Sequence, residues 1–142
     1  MLFRSRLGSP THSFIAIALS APVDEPFESA ESFRGHVARQ LAESPGDLRS
    51  RIEITAVALD TATGPFCVRY QTRAEDRGAA NAPGQKLQVE TVGLSCLHPD
   101  KKNLVVDLSY SERGVPLETG AVLREEGEAF LRSLRFEARD KP

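Results

Sequence analysis

Three residues in the second half of the chain have the chemistry of a metal ligand or a nucleophile: Cys67, Cys96 and His98. Thiolates and imidazoles are ligands that zinc prefers, but the sequence offers no evident fourth ligand. A nucleophilic cysteine–histidine pair needs a third group that orients the histidine, and none suggests itself. The sequence therefore predicts no metal and no cofactor. A small hydrolase or metal-dependent enzyme that uses these three residues stays open as an alternative.

The two cysteines lie in successive predicted strands, residues 65–73 and 87–97, joined by one loop over residues 74–86. Strands joined in this way usually pair antiparallel, so residues equidistant from the loop centre face each other. Directly opposed residues can meet the Cα–Cα limit of about 6.8 Å for a disulfide. We therefore predict a Cys67–Cys96 disulfide, with two buried free thiols or a metal site as the alternatives. A disulfide requires an oxidising compartment.

A second group of residues could form a recognition site near one end of the predicted sheet. Arginine and tyrosine are common anchors of such surfaces. The group contains both types and one acid: Arg69, Tyr70, Asp107, Tyr110 and Arg113. If the five side chains meet, they form a ligand-binding site. The alternative is a network of salt bridges and hydroxyl hydrogen bonds that serves only the fold.

The composition is that of one ordinary globular domain. The chain has 142 residues, of which 40% are hydrophobic and 27% charged, and a chain of this length can build a real core. Nucleic-acid-binding proteins usually carry a surplus of cations, whereas this chain has 18 Lys and Arg against 20 Asp and Glu. The longest apolar run, residues 14–19, is far shorter than the ~20 residues of a spanning helix. We expect neither a nucleic-acid partner nor a membrane-spanning segment.

Hydrophobic periodicity predicts seven elements in the order β-α-β-β-β-β-α. Apolar residues at every second position predict strands, and a spacing of three or four predicts helices. The predicted strands cover residues 12–20, 51–59, 65–73, 87–97 and 104–110. A helix is predicted at residues 27–43, capped by Ser29, and another from residue 123 onward. Phe130 and Leu134 lie on the apolar stripe of the last helix, so we expect both in the core.

Short connections between consecutive strands favour an antiparallel meander, because parallel pairing needs a crossover of a dozen or more residues. The predicted fold class is α+β, an antiparallel sheet of about five strands with the helices packed on the sheet. Residues 1–11 are predicted to be a disordered lead, residues 12–137 a single domain and residues 138–142 a tail.

The N-terminal region has some features of a secretory signal, since Arg4 and Arg6 precede the apolar residues 14–19. That run is shorter than the roughly 7–15 residues of a normal signal core, so a first strand is the interpretation we prefer. The predicted disulfide nevertheless favours a periplasmic or cell-envelope location, with the cytoplasm as the alternative. A bias toward arginine and alanine is typical of GC-rich bacterial genomes.

The element order and the C-terminal segment EAFLRSLRF, residues 128–136, resemble the PsbP/Mog1-like group of α+β domains. The segments FCVRY (66–70) and SCLHP (95–99) also resemble uncharacterised bacterial envelope proteins. The resemblance covers residues 12–136. Its members include photosystem accessory proteins and a small-GTPase-binding protein, and no catalytic signature accompanies the group. The resemblance therefore implies a fold and an accessory role but no functional residue.

Together these observations predict a non-catalytic binding or accessory domain of the bacterial cell envelope. Its partner is expected to be another protein or an envelope component. One alternative is the hydrolase or metal-dependent enzyme built on Cys67, Cys96 and His98. Another is a cytosolic protein-interaction module, as in the GTPase-binding relatives of the resembled fold.

Overall fold

The described residues contain six strands and two helices. The computed structural model describes residues 2–5, 13–24, 26–43, 50–76, 86–114 and 123–137. The strands are β1 (Leu2–Ser5), β2 (Ser13–Pro22), β3 (Ser50–Leu59), β4 (Cys67–Asp76), β5 (Leu87–His98) and β6 (Lys101–Gly114). The helices are α1 (Ala30–Glu43) and α2 (Glu128–Leu131), and a π-helical turn (Leu123–Gly127) leads directly into α2. Neither helix in these ranges has the length and apolarity needed to cross a membrane.

All six strands belong to one antiparallel sheet in the order β1-β2-β6-β5-β4-β3. Strands β3 to β6 follow one another as a meander. Strand β6 then pairs with β2 over the whole length of β2. The predicted antiparallel meander is therefore confirmed. The sheet has five long strands and one short strand, β1.

The short strand β1 lies within the residues predicted to be a disordered lead. It pairs with β2, with Leu2 opposite Ala16 and Ser5 opposite Ser13. Without β1, the outer side of β2 would present a row of unpaired backbone groups. Four residues can satisfy such groups without a hydrophobic pattern of their own, so periodicity does not reveal the strand. The structure thus differs from the expectation at residues 2–5, while residues 6–12 and the predicted tail, 138–142, lie outside the described residues.

Successive side chains of each strand point to opposite faces of the sheet, and each face has a helix against it. On one face, Val68 of β4 is buried with Phe33 and Val37 of α1. On the other, Leu94 of β5 is buried with Leu131 of α2. We call these the α1 face and the α2 face.

Helix α1 begins three residues later than predicted, and its start is capped as expected from Ser29. The backbone N–H of Ser32 donates to Oγ of Ser29 at 3.0 Å, and the N–H of Ser29 donates to Oγ of Ser32 at 3.1 Å. Such reciprocal bonds satisfy backbone donors that a helix start leaves without partners. Phe33 and Val37, one turn apart, are the buried residues of the helix, so the cap fixes where its apolar stripe meets the sheet.

The C-terminal segment is helical, but its geometry differs from the single apolar stripe that the sequence predicts. The π-helical turn changes the spacing before α2 begins. Leu131 is the fully buried residue, 1% exposed, whereas Phe130 and Leu134 are half-buried and pack against its cluster. Both predicted residues contact the core, but Leu131 is the anchor.

Candidate functional site

The five residues predicted to form a binding site do not meet. Arg69 and Tyr110 lie on the α2 face, where Arg69 contacts Glu128 and Tyr110 contacts Phe130. Tyr70, by contrast, is buried with α1 on the opposite face. The structure therefore divides the predicted group between the two faces, because neighbouring residues in a strand, such as Arg69 and Tyr70, point to opposite faces.

Arg113 lies far from the other predicted residues of its own face. Alternation along β6 places it on the α1 face together with Asp107, six residues earlier. A strand rises about 3.4 Å per residue, so roughly 20 Å separates the two positions. Arg113 therefore does not share a site with Asp107.

Tyr70 and Asp107 do come together, and they bring a residue that the sequence analysis missed. The Tyr70 hydroxyl donates to Oδ1 of Asp107 at 3.0 Å. The hydroxyl of Ser95 donates to Oδ2 of the same carboxylate. Ser95 and Asp107 are direct cross-strand partners on β5 and β6. Three strands, β4, β5 and β6, thus contribute one residue each to a polar network on the α1 face.

Gly93 makes this network possible. It is the cross-strand partner of Tyr70 on β5, the strand that separates β4 from β6. A Cβ atom at position 93 would lie only 1.8 Å from Cζ of Tyr70. The tyrosine ring therefore lies directly over Gly93 and crosses β5 to reach Asp107. A glycine within a predicted strand is a known sign of close approach, and it was the available signal for this contact.

Burial shifts the titration of the network. It raises the pKa of the Asp107 carboxyl above the ordinary value, although the hydrogen bonds from Ser95 and Tyr70 act in the opposite direction. Burial, and then the negative charge of Asp107, also raise the pKa of the Tyr70 hydroxyl. Tyr70 consequently keeps its proton at neutral pH and serves as a donor to the carboxylate.

The network lies in a groove of about 510 Å³ between α1 and the sheet. We call it the α1 groove. Its apolar walls come from both sides and include Leu19, Phe27, Phe33, Val37 and Val105. Asp24, His36 and Arg39 are the other ionisable residues that line it. A largely apolar cleft of this size with a few convergent polar groups is typical of a small-molecule site.

The Asp107 carboxylate has no cationic partner among the residues that the structure describes. Its hydrogen bonds come from two neutral hydroxyls, those of Tyr70 and Ser95. A carboxylate has about four lone-pair positions, so two bonds leave acceptor capacity. Burying a carboxylate with neutral donors and no counter-charge costs folding free energy, which a cationic ligand would offset.

Arg69 and Tyr110 belong to a separate cluster on the α2 face. Nε of Arg69 donates to Oδ2 of Asp60 at 2.8 Å, and its guanidinium also pairs with Glu128 of α2. The Tyr110 hydroxyl donates to Oε2 of Glu126 at 2.6 Å. These contacts tie α2 and the turn after β3 to the sheet. For this part of the predicted group, the structural alternative, a salt-bridge and hydroxyl network, is the better description.

Cys67 and Cys96 are cross-strand partners on β4 and β5, as predicted. They form a disulfide with a Cα–Cα distance of 4.2 Å, and both are buried. His98 is engaged elsewhere: its Nδ1 accepts a hydrogen bond from the N–H of Asp100 at 3.1 Å, and its ring packs against Phe136. Within the described ranges, no group of three or more His, Cys, Asp or Glu side chains is arranged to hold a metal ion.

No protein-family model and no curated protein matches the chain at a significant level. The geometry of the α1 groove is therefore the observation that bears on its function.

Proposed function

We propose that the chain is a non-catalytic binding or accessory domain of the bacterial cell envelope that holds a small ligand in the α1 groove. The observation that carries the proposal is the Tyr70–Asp107–Ser95 network, set among apolar walls in a groove of about 510 Å³. The domain is of the α+β class with its helices packed on the sheet, and its likeness to the PsbP/Mog1-like group is part of the same proposal.

The chemistry of the network supports binding over catalysis. Ser95 donates its proton to Asp107, and a carboxylate is a weak base for activating a hydroxyl. The histidine that lines the groove, His36, packs its ring against Phe27 at a centroid distance of 4.9 Å. No hydrogen bond joins His36 to Ser95 in the described part of the chain. Among the described residues that line the groove, the groups are arranged to recognise a polar atom, and Asp107, a weak base, is the acceptor of the Ser95 proton.

The disulfide supports the envelope location and weakens the two alternatives. A hydrolase or metal-dependent enzyme built on Cys67 and Cys96 would need free thiols, and the disulfide leaves neither cysteine with one. A cytosolic interaction module would have to keep the two thiols reduced. The bridge is buried, as expected for a structural disulfide.

Binding in the α1 groove is tested by titrating the protein with small aromatic alcohols, such as 2-phenylethanol, and mapping the amide chemical shifts. We expect the shifts to cluster on α1 and on the end of β2. Ala21→Trp fills the groove from an exposed position on its rim and should abolish them. Ala18→Trp makes the same change three residues earlier, on the opposite face, and should not. Shifts that map elsewhere, or that survive Ala21→Trp, would contradict the proposal.

A further inference from the structure

The charges around the α1 groove are unevenly placed. Asp107 lies among the strands at the wall of the groove and takes two hydrogen bonds from neutral donors. Asp24 contributes a second carboxylate from the segment after β2, and Arg39 and His36 come from α1. Arg39 is exposed, and no ion pair joins it to Asp107 in the described ranges. The acid beside the sheet is thus left without a counter-charge from the described part of the protein.

The Ser95 oxygen beside this acid is also available as an acceptor. Ser95 uses its proton on Asp107, and a hydroxyl that donates keeps its lone pairs. The Tyr70 hydroxyl, by contrast, already accepts a hydrogen bond from Ser109. The two Asp107 oxygens and the Ser95 oxygen, on adjacent strands, therefore place three acceptors in one region. A primary ammonium has three N–H donors and one positive charge, so it matches both the acceptors and the missing counter-charge.

We infer that the ligand of the α1 groove is a primary amine on an apolar body, with its ammonium held by Asp107 and Ser95 and with Tyr70 orienting the Asp107 carboxylate. This inference rests on the proposed function, because it assigns the chemistry of a ligand in the same groove. The apolar body lies against the walls formed by Phe27, Phe33 and Val105. Burying a charge there is favourable only when the opposite charge accompanies it. An alcohol of the same shape offers one O–H donor and no charge, so it binds more weakly. A carboxylate ligand is repelled by the negative charge of Asp107.

The test compares three probes with the same ring: phenethylamine, 2-phenylethanol and 3-phenylpropionate, titrated near neutral pH and low salt. We expect the amine to bind at least about tenfold more tightly than the alcohol, because its hydrogen bonds are charge-assisted. The propionate should bind more weakly than both. Asp107→Asn should remove most of the amine's advantage and leave the alcohol within about twofold. Asp100→Asn, at the exposed turn between β5 and β6, is the matched control and should change neither.

A pH series on the wild-type protein keeps the inference testable if Asp107→Asn does not fold. Amine binding should weaken as the pH falls and Asp107 becomes protonated, while alcohol binding stays flat. Asp24, His36, Arg39 and Tyr70 also face the groove. A positive charge on His36 would weaken amine binding as well, so His36→Gln is titrated in parallel. Its amine binding should still weaken as the pH falls, because Asp107 is unchanged in this variant.

The outcomes separate this inference from the proposed function. Equal binding of amine and alcohol, with both lost in Ala21→Trp, would overturn the amine inference and leave the groove as a binding site. Tighter binding of 3-phenylpropionate than of the amine would likewise overturn the amine inference and leave the groove as a binding site. Binding of none of the three probes in the groove would count against the proposed function itself.

Discussion

Tyr70, Gly93 and Asp107 depend on one another in a way that no single residue reveals. The tyrosine hydroxyl reaches Asp107 only because its ring passes over a position without a side chain. The carboxylate in turn is tolerated in a half-buried place because it accepts hydrogen bonds from Tyr70 and Ser95. One glycine therefore controls both the packing of β4 against β5 and the polarity of the α1 groove.

Gly93→Ala is expected to destabilise the protein by about 1–3 kcal/mol, as typical of overpacking in a core. Its Cβ would lie 1.8 Å from the Tyr70 ring, so the ring must move and the bond to Asp107 is lost. Urea unfolding gives the comparison. Gly35→Ala in α1 is the control, because a Cβ there meets only the flexible end of Arg39 at 3.6 Å. It should stabilise the helix by about 0.5–1 kcal/mol. Equal effects of the two substitutions would contradict the assigned role of Gly93.

The raised pKa of Asp107 predicts a pH dependence of stability. The folded state binds this proton more tightly than the unfolded state, so the contribution of Asp107 falls as the pH rises from the ordinary aspartate pKa to the raised one. The unfolding free energy of the wild type minus that of Asp107→Asn should therefore fall as the pH rises across that window. Urea melts of both proteins from acid to neutral pH measure it.

Asp60 provides a comparison of opposite sign. Burial alone would raise its pKa, but the hydrogen bonds from Arg69 and Thr63 outweigh burial and lower it. Its stabilising contribution is present above the ordinary aspartate pKa and is lost as the pH falls toward the lowered one. The unfolding free energy of the wild type minus that of Asp60→Asn should therefore increase as the pH rises. If the two differences change in the same direction with pH, the assignments are wrong.

At the scale of elements, the sequence predicted what depends on neighbours along the chain. The meander follows from short connections, and the Cys67–Cys96 register follows from the symmetry of one loop. The α1 site depends instead on which residues the register places side by side across three strands. Ser95 carries no pattern of its own, and only the register between β5 and β6 places it beside Asp107. The split of Arg69 from Tyr70, however, follows from alternation alone.

The C-terminal segment shows a further limit. A 3.6-residue period assumes a regular helix, and the π-helical turn breaks that assumption before Leu131. The apolar composition of the segment correctly indicated that it covers the sheet. Phe130 and Leu131 are adjacent apolar residues, and periodicity does not determine which of them lies deeper against the sheet.

Leu131→Ala should cost about 2–5 kcal/mol, the usual range for a buried leucine. Leu131 is 1% exposed and packs on Leu94, Leu108 and the disulfide. Phe130→Ala, at a half-buried position, should cost less than Leu131→Ala. Arg132→Ala, at the exposed next position, should change stability by no more than about 0.5 kcal/mol. Denaturant unfolding of the three variants gives the order, and a greater loss for Phe130→Ala would restore the simple apolar stripe.

Across the whole molecule, the two faces of the sheet differ in how they are covered. The α2 face is closed by Leu131, the half-buried aromatics beside it and the disulfide, and Arg69 pairs there with Asp60 and Glu128. The α1 face holds an open groove with a buried polar network. The disulfide and the proposed binding site thus lie on opposite faces of the same sheet, and β4 and β5 contribute residues to both.

The disulfide between β4 and β5 should contribute about 3–4 kcal/mol to the stability of the whole domain. The bridged residues are 29 positions apart, and closing a loop of that length lowers the entropy of the unfolded chain by about this amount. Unfolding with and without reductant measures the contribution. The Cys67→Ala/Cys96→Ala variant is the control, since reductant should leave its unfolding unchanged. Thiol counting on the denatured, non-reduced protein should find no free thiol.

Two free thiols in air-oxidised protein would show that Cys67 and Cys96 remain reduced. The proposed envelope location would then lose its main physical argument, because buried neighbouring thiols are equally stable in a reducing cytosol. The α1 groove would be unaffected, since Cys67 and Cys96 point to the α2 face and Tyr70, Ser95 and Asp107 hold one another through their own hydrogen bonds. Thiol counting therefore tests where the protein works independently of what it binds.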